Sequence, residues 1–176
     1  CLVTQRQVGM HTGSFKHALR AALREDPDVV LVGELRDLET MSIAVTAAEM
    51  GILVMGTLHT NGAAPTVDRI VNAFPSDKQG HVRTMLSTSL RGVISQQLIQ
   101  RSDKRGRVAA LEILVNTPAV SNLIRQGKLD QLENTMQSGA AHGMRTMDTA
   151  LQELLDKGVR VGLGVDGSSS ADAASL

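Results

Sequence analysis

The six residues Val29-Val30-Leu31-Val32-Gly33-Glu34 constrain the fold more than any other part of the sequence. Their apolar run predicts a short strand that is buried on both faces, as in a parallel sheet covered by helices. An amphipathic helix over Phe15 to Glu25, with Ser14 as its cap, is predicted before the strand. After it, a helix capped by Asp37 reaches about Met50, and Ile52 to Leu58 predicts a second strand. Strands that alternate with helices at this spacing predict an α/β fold with crossover connections.

The chain divides into three predicted parts. Residues 1–115 carry the alternating pattern of the α/β part. The composition changes at Asn116-Thr117-Pro118, and residues 116–160 contain helical stretches separated by glycines, which predicts a small all-helical module. Residues 161–176 consist mainly of Gly, Ser and Ala and have little to bury, so they predict a disordered tail.

Further elements are predicted within these parts. A helix opens at Pro65 and runs to Ala73, because proline suits the first turn of a helix. Apolar residues at helical spacing predict a long helix from Asp77 to Ile99, and Val108 to Val115 predicts another strand. The helices predicted in the module are Ala119 to Gln126, Leu129 to Ser138 and Thr146 to Lys157.

Composition excludes several classes of protein. Apolar residues make up 42% of the chain and the formal net charge is zero, so neither disorder nor charge-driven binding to nucleic acid or an anionic membrane is indicated. No run approaches the ~18 apolar residues of a membrane span. The single cysteine, Cys1, excludes an internal disulfide and fits a reducing cytoplasm. Its position suggests either a lipidated N-terminus or a chain that is cut there.

Two predicted strands end in residues that can carry chemistry. In an open parallel sheet, ligands bind outside the carboxyl ends of the strands. The first strand ends in Gly33-Glu34 and the second in Thr57-Leu58-His59-Thr60. Gly33 leaves the backbone accessible, the Glu34 carboxylate can orient and deprotonate a water, and His59 can donate a hydrogen bond to a phosphate.

Each of these residues also has a plainer interpretation. A glutamate that begins a loop is more often solvated, and a lone histidine at a strand end is more often structural or exposed. Arg36 and Asp37 suit a surface pair and a helix cap. Only their combination at two adjacent strand ends makes a functional site as plausible as these alternatives.

Three sequence motifs resemble those of one known protein family. The segment Ala18 to Asp28, which runs into Val29 to Asp37, resembles the Walker B region of the type II/type IV secretion ATPases, in which a Gly-Glu pair replaces the commoner acidic pair. Ala47-Ala48-Glu49-Met50-Gly51 and Gly56-Thr57-Leu58-His59-Thr60-Asn61 resemble the His box of that family. The likeness extends from Gln5 through Gly158. It implies the C-terminal part of a RecA-like P-loop NTPase sheet core, followed by the small helical module.

The resemblance also implies roles for single residues. Glu34 corresponds to the catalytic Walker B glutamate and His59 to the histidine near the γ-phosphate. Gly33, Arg36, Asp37, Thr57 and Thr60 correspond to the rest of the nucleotide site, with no metal ligand among them. One departure is visible: Ile52 stands where the family often has a first His-box histidine.

The module favours one branch of the family. Asn116 to Lys128 resembles the C-terminal motif of the pilus-retraction ATPases, with Val120, Ser121 and Gln126 as departures, and Gly143 to Asp148 continues the likeness. The extension ATPases are expected to carry a four-cysteine metal-binding insert, which a chain with one cysteine lacks. The resemblance therefore implies ATP hydrolysis, with Mg²⁺, in type IV pilus retraction and twitching motility.

The sequence lacks the P-loop pattern G-x-x-x-x-G-K-[ST]. We expect a truncated chain that turns over little or no ATP by itself. For the intact protein the resemblance implies a homohexamer in the cytoplasm, peripheral to the inner membrane, that works on a pilus platform protein. Arg83 and Arg91 on the long helix are candidates for the subunit interface, although a solvated helix face is the more common explanation for each.

Three other functions stay open. The first is a pilus-extension or type II secretion ATPase, against which the cysteine count argues. The second is a non-catalytic assembly module, which the missing P-loop favours. The third is a RecA-like recombinase or helicase, which would need a basic DNA-binding loop that the sequence does not show.

Overall fold

The computed structural model describes residues 2–102 and 105–159, and the predicted tail lies outside them. The helices and strands of this part of the chain follow in the order α1 (Phe15–Ala22), β1 (Val29–Val32), α2 (Leu38–Glu49), β2 (Leu53–Gly56), α3 (Ala63–Asn72), α4 (Ser76–Ser89), β3 (Gly92–Gln100), β4 (Arg107–Val115), α5 (Pro118–Gln126), α6 (Leu132–Ser138) and α7 (Met147–Asp156). Short 3₁₀ turns extend α1 and lead into and out of α6.

Strands β1 and β2 lie side by side and run parallel. Their register pairs Val29 with Leu53 and Val32 with Gly56, and helix α2 makes the connection between them. A parallel pair needs such a crossover, whereas a tight turn suffices for an antiparallel one. The predicted α/β fold with parallel strands is confirmed.

The prediction that β1 is buried on both faces is wrong for the part of the chain that the structure describes. Val32 packs with Leu19 of α1 and Ala44 of α2. Val29 and Leu31 face the other way and are 53% and 72% exposed. Because side chains alternate along a strand, the helices on one side of this pair leave its opposite face open.

The two helices that flank β1 begin where the sequence predicts. The Ser14 hydroxyl accepts from the backbone N–H of His17 at 3.2 Å, and the Asp37 carboxylate accepts from that of Thr40 at 2.8 Å. Each bond satisfies a helical N–H that has no partner within the helix. After α2 the chain turns at Gly51, whose φ of 100° favours glycine.

The predicted helix from Asp77 to Ile99 is wrong in its second half. Helix α4 ends at Ser89, and Gly92 begins strand β3, which pairs antiparallel with β4. The helical spacing of Val82, Met85 and Leu86 is real, because all three are buried on one face. Beyond Ser89, pairing with β4 overrides the local pattern. Gly92 permits this pairing, since a Cβ there would lie 2.8 Å from the Leu114 carbonyl oxygen.

The β3–β4 hairpin and the helices around it form the larger core. This core is aliphatic apart from Phe74 and draws on helices from both sides of residue 115, including Val67 and Val71 of α3 and Val120 and Ile124 of α5. The helical segments of residues 116–159 therefore pack with the preceding part of the chain. The division into domains at residue 116 stays a prediction.

Candidate functional site

The loops that follow β1 and β2 are bonded to each other. The backbone N–H of Leu35 donates to the Thr57 carbonyl oxygen at 2.9 Å, and the Thr57 hydroxyl donates to the carbonyl oxygen of Gly33. These bonds continue the parallel pairing past the last strand residues. As a result, Glu34 and His59 lie at the same edge of the sheet, as the strand order predicts.

Glu34 lies between a guanidinium and an imidazole. Its Oε2 is 2.6 Å from Arg36 Nε, and its Oε1 is 3.1 Å from His59 Nε2. The side chain of Glu34 is 19% exposed, while those of Arg36 and His59 are 73% and 81% exposed. The structure thus joins three of the sequence-predicted site residues in one open cluster, with the carboxylate as its innermost member.

Electrostatics keeps the Glu34 carboxyl ionised. The hydrogen bond from Arg36 is the main cause that lowers the pKa of Glu34, with partial burial opposing it and the charge of His59 adding to it. Reciprocally, the carboxylate raises the pKa of the Arg36 guanidinium. Glu34 is therefore a carboxylate at neutral pH and a weaker proton acceptor than an unpaired glutamate.

Two glycines shape the surroundings of this cluster. No atom lies within 4 Å of the place where a Cβ of Gly33 would stand, so the backbone before Glu34 is open to an approaching ligand. A Cβ on Gly56 would lie only 2.6 Å from Leu35 Cδ1. Gly56 therefore lets Leu35 pack under the loop that carries Glu34. The sequence pattern alone assigns no role to Gly56, because its contact with Leu35 depends on how the two strands pair.

Asp37 and Thr60 are directed into helices instead. Both carboxylate oxygens of Asp37 bond Thr40, through its backbone N–H at 2.8 Å and its hydroxyl at 2.9 Å. The backbone bond is the main reason that the pKa of Asp37 is lowered. The Thr60 hydroxyl lies 2.7 Å from that of Thr66 in α3. None of these hydrogen bonds involves Glu34 or His59. Asp37 and Thr60 therefore position the helices next to the cluster.

Sequence analysis missed two further residues near the loop that carries His59. Ser95 of β3 and Glu112 of β4 bond the first backbone N–H groups of α3, at 3.0 Å from Gly62 N and 2.6 Å from Ala63 N. Ser95 fell inside the wrongly predicted long helix and Glu112 inside a predicted strand with no ligand signal. Only the cross-strand pairing brings the two together.

The cluster offers hydrogen-bond partners for a water and an anion at an open sheet edge. A carboxylate accepts several hydrogen bonds, so Glu34 can hold a water besides its two present partners. His59 can donate to a phosphate oxygen. Within residues 2–102 and 105–159, no group of three or more His, Cys, Asp or Glu is placed to hold a metal ion.

None of the described helices is long and apolar enough to cross a membrane.

Known proteins of one family resemble this chain over most of its length. A family model described as type II/IV secretion system protein matches residues 3–158. The twitching motility protein of Neisseria gonorrhoeae is 57% identical over 158 residues, which cover 90% of this chain and 42% of that protein. The type IV pilus retractation ATPase PilT of Pseudomonas aeruginosa is 55% identical over 159 residues, which cover 90% of this chain and 46% of that protein.

A solved structure shows the same fold. The crystal structure of the pilus retraction motor PilT with bound ADP superposes with a TM-score of 0.82 at 51% identity, and the match covers 90% of this chain and 44% of that one. This chain thus spans less than half the length of the relatives named here. With its fold, its motifs and nine-tenths of its length accounted for, the chain belongs to the type II/IV secretion system protein family.

Proposed function

We propose that this chain is part of the ATPase motor that retracts a type IV pilus and so drives twitching motility, and that Glu34 holds the water that attacks ATP. The observation that carries the proposal is the Glu34–Arg36–His59 cluster at the ends of two neighbouring parallel strands. It supports this role in a chain that is 55% identical to a pilus retractation ATPase over nine-tenths of its length.

Because its pKa is lowered, Glu34 is better suited to orienting the water than to removing a proton from the water early in the reaction. Phosphoryl transfer passes through a loose transition state, so positioning and electrostatics contribute more than strong base catalysis. A carboxylate that stays ionised is always ready to accept a hydrogen bond from the water. The cost is a smaller driving force for proton transfer, which a loose transition state tolerates.

His59 supplies contact with the phosphate in this proposal. Its Nε2 contacts Glu34, and its side chain is 81% exposed, so a phosphate has access to the ring. A γ-phosphate that bonds His59 would therefore be reported directly to the residue that holds the water. Gly33 leaves room for the phosphate to approach, and Thr57 fixes the spacing of the two loops. Arg36 lowers the pKa of Glu34 and so keeps it ionised.

The remainder of the nucleotide site is proposed to come from parts of the protein outside this chain. The 176 residues contain no P-loop sequence, so the cradle and lysine for the phosphates are not among them. We propose a RecA-like core completed in the whole protein, with ATP as substrate. Mg²⁺, when bound, would neutralise phosphate charge.

Assembly and location are proposed from the same family membership. We propose a homohexamer in the cytoplasm, peripheral to the inner membrane, that acts on the platform protein of the pilus. Of the two arginines predicted at a subunit interface, Arg91 is exposed, whereas the buried Nε of Arg83 lies against Gly127 after α5. Arg91 is therefore the better candidate for contact with another subunit.

The function is tested in the full-length protein with Glu34→Gln, which keeps the shape of the side chain and removes its charge. We expect kcat for ATP to fall by about 10²- to 10⁴-fold and pilus retraction to stop, with ADP binding retained. Glu133→Gln is the matched control, because Glu133 is exposed and has no hydrogen bond or ion pair within the described residues. Unchanged turnover in Glu34→Gln would remove Glu34 from the mechanism. Loss of turnover without any defect in pilus retraction would contradict the proposed role in retraction.

A further inference from the structure

Helix α3 begins without a cap of its own. Gly62 occupies the capping position and has no side chain to offer. The β3–β4 hairpin supplies the acceptors instead: Ser95 Oγ accepts from Gly62 N at 3.0 Å, and Glu112 Oε1 accepts from Ala63 N at 2.6 Å. Ser95 and Glu112 are direct cross-strand partners, so they project from the same face of the hairpin.

The same carboxylate also reaches a second helix. Glu112 Oε2 accepts from the backbone N–H of Met147, the first residue of α7, at 3.3 Å. Each helix N-terminus carries partial positive charge and unpaired N–H groups, which suit a carboxylate. The entry to α7 is further joined to β4 by two backbone bonds between Ile113 and Arg145, of 2.7 Å and 2.9 Å.

The loop that carries His59 lies between two tethers. At its start, Thr57 is bonded to the loop after β1, and at its end Gly62 and Ala63 are bonded to Ser95 and Glu112. His59 itself is 81% exposed, so packing does little to fix its side chain. Its 3.1 Å contact with Glu34 therefore depends on where the two tethers hold the backbone.

We propose that Glu112 is a positioning residue that joins the His59 loop to helix α7, so that nucleotide bound at His59 changes the order of the first turn of α7. This inference rests on the proposed function. A shift of the first turn of α3 moves the carboxylate, and that carboxylate is also the acceptor for Met147. Glu112 does not touch Glu34 or His59 among the described contacts, so it acts through the backbone and not on the reacting atoms.

Glu112→Gln separates the two bonds at nearly constant shape. An amide has one acceptor oxygen and one NH₂ group, so only one of the two helix N–H groups can be satisfied. The shorter Ala63 bond is expected to keep the oxygen, which leaves the NH₂ group facing the Met147 N–H, donor against donor. The connection to α7 is then lost while α3 stays capped.

The experiment measures backbone hydrogen exchange in the full-length protein with and without AMP-PNP, a non-hydrolysable ATP analogue that carries the γ-phosphate, together with ATPase kinetics. In the wild type we expect AMP-PNP to slow exchange in residues 59–64 and in residues 147–150. In Glu112→Gln we expect the first response to persist and the second to disappear. We expect kcat to fall by about tenfold with KM within about twofold, since a small misplacement of a catalytic group is costly.

Two controls separate coupling from simple destabilisation. Glu133→Gln makes the same chemical change at an exposed position and should behave as the wild type. Thr146→Val removes the cap that α7 receives from its own sequence, the bond from Thr149 N at 3.3 Å. It should raise exchange in α7 with and without AMP-PNP alike and leave the AMP-PNP response in place.

The inference is overturned if Glu112→Gln keeps the wild-type AMP-PNP response in residues 147–150, or if the wild type responds to AMP-PNP in residues 59–64 and not in α7. If Glu112→Gln does not fold, Glu112→Asp, whose shorter side chain reaches one helix only, should show the same loss of the α7 response. A different result tests the proposed function: a wild type that neither binds ADP nor hydrolyses ATP removes the function itself.

Discussion

The open edge of β1 and β2 and the β3–β4 hairpin use polar residues in opposite surroundings. At the open edge, the side chains of Arg36 and His59 are 73% and 81% exposed around Glu34. In the hairpin, Ser95 is 7% exposed, and Ser95 Oγ and both carboxylate oxygens of Glu112 accept from backbone N–H groups. Exposed ion pairs add little to stability, whereas buried polar groups without partners cost much. The open edge is therefore suited to chemistry, and the hairpin is suited to holding the neighbouring loop in place.

The largest effect on stability is expected from the core beneath the hairpin. Ile124 of α5 is fully buried in the cluster that unites the hairpin with helices α2 to α6. We expect Ile124→Ala to lower the free energy of unfolding by about 2–5 kcal/mol, through lost burial and the cavity left behind. Ile94, on the outer face of β3, is 70% exposed and is the matched control, with an expected change within about 0.5 kcal/mol. Calorimetry of the full-length variants measures both; equal losses would break the contrast between the two surroundings.

A smaller effect is expected from close packing of the hairpin backbone. A Cβ on Gly92 would meet the Leu114 carbonyl oxygen at 2.8 Å, and backbone cannot swing aside as a side chain does. We expect Gly92→Ala to cost about 1–3 kcal/mol. Gly80, within α4, has no atom within 4 Å of its would-be Cβ, so Gly80→Ala should stabilise by about 0.5–1 kcal/mol. Opposite signs in thermal unfolding support this contrast, and a destabilised Gly80→Ala contradicts it.

A cap next to the open edge is expected to contribute less again. Asp37→Ala removes the acceptor for Thr40 N and should cost about 1 kcal/mol, while Asp37→Asn keeps a cap and should cost less. The pKa of Asp37 is lowered in the folded protein, so the stabilisation from its charge is present above about pH 4 and is lost as the pH falls through the lowered pKa. Urea unfolding at several pH values should show the difference between wild type and Asp37→Asn shrinking below pH 4. A constant difference would mean that charge adds nothing to this cap.

The smallest effect is a shift in pH dependence at the exposed cluster. Arg36→Gln removes the main cause that lowers the pKa of Glu34, so this pKa should rise towards the ordinary value for glutamate. The acidic limb of kcat/KM for ATP should then move to higher pH, with the melting temperature nearly unchanged because the pair is exposed. Arg36→Lys should restore part of the lowering of the Glu34 pKa and so move the acidic limb back towards lower pH. An acidic limb that does not move would show that Glu34 ionisation does not govern turnover.

Sequence patterns predicted the elements around β1 and β2 because local rules act there. A short apolar run, capping residues at Ser14 and Asp37 and the turn at Gly51 each leave a local signature. The same rules failed after Ser89, where residues at helical spacing are drawn into a strand by a partner that lies beyond the following turn. Among the candidate site residues, Glu34, Arg36 and His59 are predictable because they follow strand ends, and the structure brings these three together. Glu112 was not, because a helix cap donated across a hairpin has no pattern along the chain.

The two pairs of strands also differ in the order in which we expect them to form. The hairpin closes from Gln100 and Arg107 outward, between neighbours in the chain, whereas β1 meets β2 only after the chain has passed through all of α2. Contacts between nearby residues carry a lower loop-closure cost and form faster. We therefore expect the hairpin with Ser95 and Glu112 to assemble early and the edge with Glu34 and His59 late. The acceptors that fix the start of α3 would then already be in place when the histidine loop settles onto the strand ends.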